Sequence, residues 1–155
     1  MKILAFDPGE STGWCYQDEQ GKVCGGTARK NHMEVRKLIA VANPDIVVLE
    51  SFKLYPNKAQ SLSWNSFYPC EVIGVIKVTC DVLSIPWVEQ APSVKKYFGG
   101  FKSDWETIAQ LPAELEPFSK GVTEHSKDAY MHYRYFLRNG LKKFQNLVQL
   151  SINNL

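Results

Sequence analysis

The nine residues Met1-Lys2-Ile3-Leu4-Ala5-Phe6-Asp7-Pro8-Gly9 decide how the rest of the chain is read. A short apolar run that ends in an acid and a Pro-Gly pair describes a buried strand entering a turn. The run is too short to be the apolar core of a signal peptide. Downstream, Thr12-Gly13-Trp14-Cys15-Tyr16 resumes β-type composition. A turn at Glu19-Gln20-Gly21 then leads into a third candidate strand, Val23 to Thr27. Together these three runs read as an antiparallel meander.

Beyond the meander the pattern changes period. Asn31 is a candidate N-cap for a helix carrying Met33, Val35, Leu38, Ile39 and Ala42, which Asn43-Pro44 stops. Asp45-Ile46-Val47-Val48-Leu49-Glu50 follows as a strongly apolar run buried on both faces, as parallel strands covered by helices are. Residues 51–66 read as a polar, aromatic, lysine-bearing loop. Phe67 to Leu83 reads as a long apolar helix, and Ile85 to Glu89 as a further strand. Pro92 to Phe98 forms a helical turn stopped by Gly99-Gly100, and 101–123 is irregular and acidic. Ser126 to Asn139 is a helix ended by Asn139-Gly140, and 141–150 is one more amphipathic helix. Three strands followed by alternation predict an α/β layer architecture: a mixed five-stranded sheet with helices on both faces.

A chain of 155 residues fits one domain, 1–155, with a single core. Its 45% apolar and 22% charged residues are ordinary for a globular protein. No window approaches the roughly 18 apolar residues that span a bilayer, so the expectation is a soluble, cytoplasmic protein. Cys15, Cys24, Cys70 and Cys80 fall at spacings that match no zinc pattern. Cys15, Cys70 and Cys80 lie in apolar surroundings and read as buried, reduced thiols. The net charge of +2 does not itself specify a polyanionic partner. Lysines and arginines do gather in 53–58, 95–102 and 134–143, while acids gather in 104–116.

Three acids stand out by position. Asp7 closes the first strand and Glu50 closes the fourth. Asp128 lies early in a late helix, with His125 three residues before it on the same helix face. Alone, an Asp before Pro-Gly is equally well a turn residue, and Asp128 is more often a solvated helix residue. Glu50 is harder to dismiss, because a buried strand ending in an unpaired charge is costly. Converging hard oxygen donors suit Mg²⁺ or Mn²⁺. Two such ions, about 3.5–4 Å apart on shared carboxylates, activate a water and stabilise a leaving oxygen in phosphodiester hydrolysis.

These segments resemble the RuvC family of Holliday-junction resolvases. The resemblance rests on Ile3–Gly9 with Thr12-Gly13-Trp14, on Val47-Val48-Leu49-Glu50, on Ala91-Pro92-Ser93-Val94-Lys95-Lys96, and on His125-Ser126-Lys127-Asp128-Ala129, and it runs from residue 1 to about 138. It implies an RNase H-like fold, cleavage of branched DNA such as four-way junctions, forks and flaps, and a site of Asp7, Glu50, Asp128 and His125. His125 stands where the family usually has an acid, and serves either as a ligand, favouring Mn²⁺, or as a proton carrier. The resemblance further implies a homodimer, with helix 67–83 supplying much of its interface; the same helix also reads as an ordinary core helix. Phe52, Lys53, Tyr55 and Lys58, with Lys95, Lys96 and Lys102, are the expected DNA contacts. An aromatic here could stack on an unpaired base, worth about 1–3 kcal/mol. The acidic stretch departs from the family pattern and must face away from DNA or shape substrate choice. A compact, phage-type member fits the size. Two alternatives keep the fold: a nuclease acting on RNA–DNA hybrid, and a junction-binding protein whose carboxylates are structural.

Overall fold

A computed structural model of the chain describes residues 1–53, 67–97 and 110–146. Five strands form one sheet: β1 (Ile3–Asp7), β2 (Thr12–Gln17), β3 (Val23–Ala28), β4 (Ile46–Glu50) and β5 (Trp87–Gln90). Their order across the sheet is β3-β2-β1-β4-β5. The meander is antiparallel, while β4 and β5 run parallel to β1, as expected. Parallel neighbours need crossovers, and helices supply them: α1 (His32–Ala42) between β3 and β4, and α2 (Tyr68–Val82) before β5. Helix α3 (Glu124–Tyr135) comes last.

The period-two alternation of strands sorts the layers. Leu4, Phe6, Val47 and Leu49 pack with α1 and α2, whereas Ile3, Ala5, Ile46 and Val48 pack with α3. Central strands sandwiched in this way must be apolar at every position, and Ile3 to Phe6 and Ile46 to Leu49 are all wholly buried. Asp7 continues the parity of Ile3 and Ala5, and Glu50 continues that of Ile46 and Val48. Both carboxylates therefore face α3.

Helix boundaries follow local chemistry. The Asn31 side chain accepts hydrogen bonds from the Met33 and Glu34 N–H groups, and Asn43, at φ 41°, closes α1 in the left-handed region. Four expectations need correction. The fifth strand starts at Trp87 rather than Ile85, because the Ile85 N–H still donates to the Cys80 carbonyl of α2 at 2.8 Å. Asn139-Gly140 does not stop the last helix. The chain passes through a π-helical turn, Phe136–Gly140, and continues helically to residue 146. A Cβ at Gly140 would lie 2.5 Å from the Phe136 ring, so this glycine admits a packed aromatic instead of ending the helix. The irregular stretch contains a 3₁₀ turn, Glu116–Phe118. Finally, Cys70 is exposed on the outer side of α2, while Cys24, on β3, is buried in the core with Cys15 and Cys80. All four cysteines are free. Burial pushes the Cys24 and Cys80 thiols up to about 12, which keeps them unreactive.

Among the described residues, no helix is long and apolar enough to cross a membrane.

Candidate functional site

Each residue of Thr12-Gly13-Trp14 has a structural task beside Asp7. The Thr12 hydroxyl donates to the Gly9 carbonyl at 2.9 Å, closing the Asp-Pro-Gly turn. Gly13 pairs with Asp7 across β1 and β2. A Cβ on Gly13 would lie 2.0 Å from the His125 carbonyl, so only glycine lets the first turn of α3 lie directly on β2. Trp14, wholly buried, donates its indole N–H to the Phe118 carbonyl at 3.0 Å and anchors the stretch before α3. Ser126 locks the start of α3, accepting from the Thr123 N–H and donating to the Thr123 carbonyl, both at 2.8 Å.

This packing brings the three acids together around one cation. The Lys95 ammonium lies 3.2 Å from Asp7 Oδ1, 2.7 Å from Glu50 Oε2 and 3.1 Å from Asp128 Oδ2. Lys95 comes from the 3₁₀ turn Pro92–Tyr97 that leaves β5. The second oxygen of Asp7 is 2.9 Å from Nδ1 of His125, whose side chain is half exposed. The four residues singled out from the sequence thus share one site.

The charges perturb one another. Burial pushes the Asp7 carboxyl above its ordinary range; Lys95 and His125 oppose this, while Glu50 and Asp128 reinforce it. Burial also pushes Glu50 upward, but hydrogen bonds from His132 and Lys95 outweigh it and hold that carboxyl below its usual value. For Lys95, burial disfavours the ammonium, yet Asp7 and Glu50 hold it well above the usual lysine range. Three acids share one lysine, so the site concentrates negative charge in a partly dry setting, a common mark of functional sites.

Three carboxylates are a donor set of the right hardness for Mg²⁺ or Mn²⁺ and the wrong one for soft metals. Among the described residues, no three acidic, histidine or cysteine side chains are spaced to ligate one ion as they stand. They ring an ammonium instead, at distances longer than the roughly 2.0–2.1 Å of a magnesium–oxygen bond. The Lys95 ammonium occupies the place of a cation among donors of the hardness such a metal takes.

The expected DNA contacts divide three ways. Phe52 and Lys53 are exposed just after β4, and Phe52 meets Phe67 edge-on at 5.8 Å. Lys96 is exposed beside Lys95, whose own ammonium is turned in onto the carboxylates rather than out to solvent. Tyr55, Lys58 and Lys102 lie outside the described residues. The acidic stretch, as far as it is described, packs on the sheet face opposite the site, with Leu115 buried among Trp14, Tyr16 and Cys24. Glu114 acts on Tyr16, which pairs with Leu4, about 10 Å along β1 from Asp7 at roughly 3.3 Å per residue. That acid faces away from the site.

One site residue escaped the sequence reading. His132 lies one turn beyond Asp128 on α3, wholly buried, with Nε2 2.8 Å from Glu50 Oε2 and Nδ1 2.8 Å from Gln90 Oε1. The four-residue spacing from Asp128 was a visible signal, but it acquires meaning only once β4 and β5 place Glu50 opposite Gln90.

By sequence, the chain matches no family model and no curated protein. By structure it is similar to RuvC of Thermus thermophilus in complex with a Holliday junction substrate, with a TM-score of 0.61, 14% identity, and coverage of 90% of this chain and 96% of that one. Thermus thermophilus RuvC in a second structure gives 0.58 at 15% identity, covering 90% and 97%. The Fowlpox virus resolvase in complex with Holliday junction DNA gives 0.54 at 14%, covering 89% and 98%. The chain therefore has the fold of the RuvC-like resolvases, over nearly its whole length.

Proposed function

We propose that this protein is a divalent-metal-dependent endonuclease that hydrolyses phosphodiester bonds in Holliday junctions and other branched DNA. The observation that carries this reading is the convergence of Asp7, Glu50 and Asp128, from three separate elements, on the single Lys95 ammonium. Binding DNA gains nothing from acids gathered beside phosphates; hydrolysing it through a metal requires them. The fold's likeness to junction resolvases supports branched DNA over RNA–DNA hybrid as the substrate.

Asp7, Glu50 and Asp128 would hold Mg²⁺ or Mn²⁺, two ions per site, which would supply an activated water and charge neutralisation for the leaving 3′-oxygen. The protein's own groups do the rest. Asp7, Glu50 and Asp128, set on strand ends and a packed helix, present fixed charge. Lys95 keeps these acids together in the metal-free protein and, once displaced, is placed to pair with a phosphate. His125 receives the proton lost by the attacking water, with Asp7 holding its ring. Lys53 and Lys96, both exposed, meet neighbouring phosphates, and Phe52 stacks on an unpaired base at the branch point.

A four-way junction offers two equivalent strands, so two sites related by a two-fold axis suit it. The homodimer we propose uses the outer face of α2. Its inner face is core, but Val78, Val82 and Leu83 are exposed beside Met33 of α1, along an apolar groove of about 740 Å³.

The test is cleavage of synthetic four-way junctions, forks, linear duplexes and hybrids with Mg²⁺ or Mn²⁺. Paired incisions in the junction are the expected outcome. Cutting confined to hybrid would establish the hybrid nuclease instead, and tight junction binding without cutting would establish a binding protein.

A further inference from the structure

The layer between the sheet and α3 is apolar, built from Ile3, Ala5, Ile46, Val48, Ala129 and Tyr133. His132, Gln90 and Glu50 interrupt it. Gln90 and Glu50 are partners in the parallel β4–β5 register, and His132, wholly buried, spans the two. Its Nε2 lies 2.8 Å from Glu50 Oε2, and its Nδ1 lies 2.8 Å from Gln90 Oε1.

A buried histidine could simply fill space with its polar atoms satisfied. A leucine would fill the same space without the cost of desolvating an imidazole, an amide and a carboxylate. The arrangement is also directional. Gln90 holds one ring nitrogen, which sets the ring plane, and the other nitrogen donates to the same Glu50 oxygen that Lys95 contacts. Glutamate has three side-chain torsions, and at the end of a strand nothing in its own backbone selects the rotation of its carboxylate.

We propose that His132 is a positioning residue for Glu50: clamped by Gln90, it fixes the carboxylate so that it faces Asp7 and Asp128 across the cation site. This inference rests on the metal-site reading above. Partners that orient a metal-binding group typically change metal affinity or activity by roughly 10–100-fold when removed.

Calorimetric titration of the DNA-free, full-length protein with Mn²⁺ tests it, run on wild type, His132→Leu, His132→Gln and Gln90→Leu. Thermal unfolding in chelator and single-turnover cleavage at saturating junction accompany each variant. His132→Leu is expected to weaken Mn²⁺ binding by roughly tenfold or more. It should slow single-turnover cleavage while leaving junction affinity without metal unchanged. His132→Gln, whose amide N–H can reach Glu50, should recover most of the metal affinity, which a space-filling role does not predict. Gln90→Leu keeps the histidine but frees its ring; it should weaken Mn²⁺ binding by a smaller factor, and it carries the test if His132→Leu does not fold. Folded His132→Leu or Gln90→Leu protein binding Mn²⁺ within about twofold of wild type would overturn the proposal and leave the proposed function intact. A wild-type protein that binds no Mn²⁺ would overturn both.

Discussion

Asp7 and Glu50 are side by side on adjacent strands, yet their proton affinities move in opposite directions. Asp7 is the more buried and is raised above its ordinary 3.8, so the folded state binds its proton more tightly than the unfolded chain does. Ionised Asp7 therefore costs stability at neutral pH, a cost relieved as pH falls through its folded value. Glu50 is lowered from its ordinary 4.5, so it contributes stability that is present above that value and lost as pH falls through the folded one. Asp7→Asn should accordingly abolish cleavage, raise the melting temperature of the metal-free protein at neutral pH by a few degrees, and preserve or tighten junction binding. Glu50→Gln should also abolish cleavage but lower the melting temperature at neutral pH, with the difference from wild type shrinking in acid. Thermal unfolding in chelator across the acid range reads both signs. A lower melting temperature for Asp7→Asn at neutral pH would contradict the account of its burial. At this scale the three carboxylates and His125 were legible as candidates, because strand ends and helix spacing are local. The inward turn of Lys95 was not. Nothing along the chain says that the residue after Val94 will meet three acids rather than solvent.

The decisive contact between elements is α3 on β2. It is made at Gly13, which approaches the His125 backbone too closely for any side chain. Gly13→Ala should force the first turn of α3 outward, carrying His125 and Asp128 away from Asp7. Overpacking of this kind costs about 1–3 kcal/mol, so a folded protein with lower stability is expected, and its single-turnover cleavage should fall by more than its melting temperature suggests. Full activity in Gly13→Ala would mean that α3 is not registered through this contact. The helices α1, α2 and α3 were visible in the sequence from apolar periodicity and from Asn31 and Asn43. The π-helical turn was not, because Asn139-Gly140 carries the usual signature of a helix end. Packing of Phe136 against Gly140 overrides that signature, and no window of sequence around residue 140 records which aromatic will lie there.

For the whole molecule, the two faces of α2 set the expectation. Val72, Ile76 and Cys80 pack into the core, while Val82 is 72% exposed. Val82→Glu should leave folding intact and place a charge in the proposed interface. Sedimentation should then report a monomer, and junction cleavage should give single nicks in place of paired incisions. A Val82→Glu protein that sediments like wild type and still makes paired cuts would move the interface elsewhere. The mixed sheet was foreseeable in outline, since the apolar run 45–50 reads as a strand covered by helices and the three successive strands before it read as a meander. What the amino-acid order settled alone was the set of elements and the acids at their ends, both governed by interactions between residues a few positions apart. Convergence of those acids on Lys95, the buried clamp of His132 and Gln90 on Glu50, and the packing of Leu115 on the far face depended on three-dimensional packing. They join residues dozens of positions apart, whose meeting is determined by how the layers stack and not by any pattern within a segment.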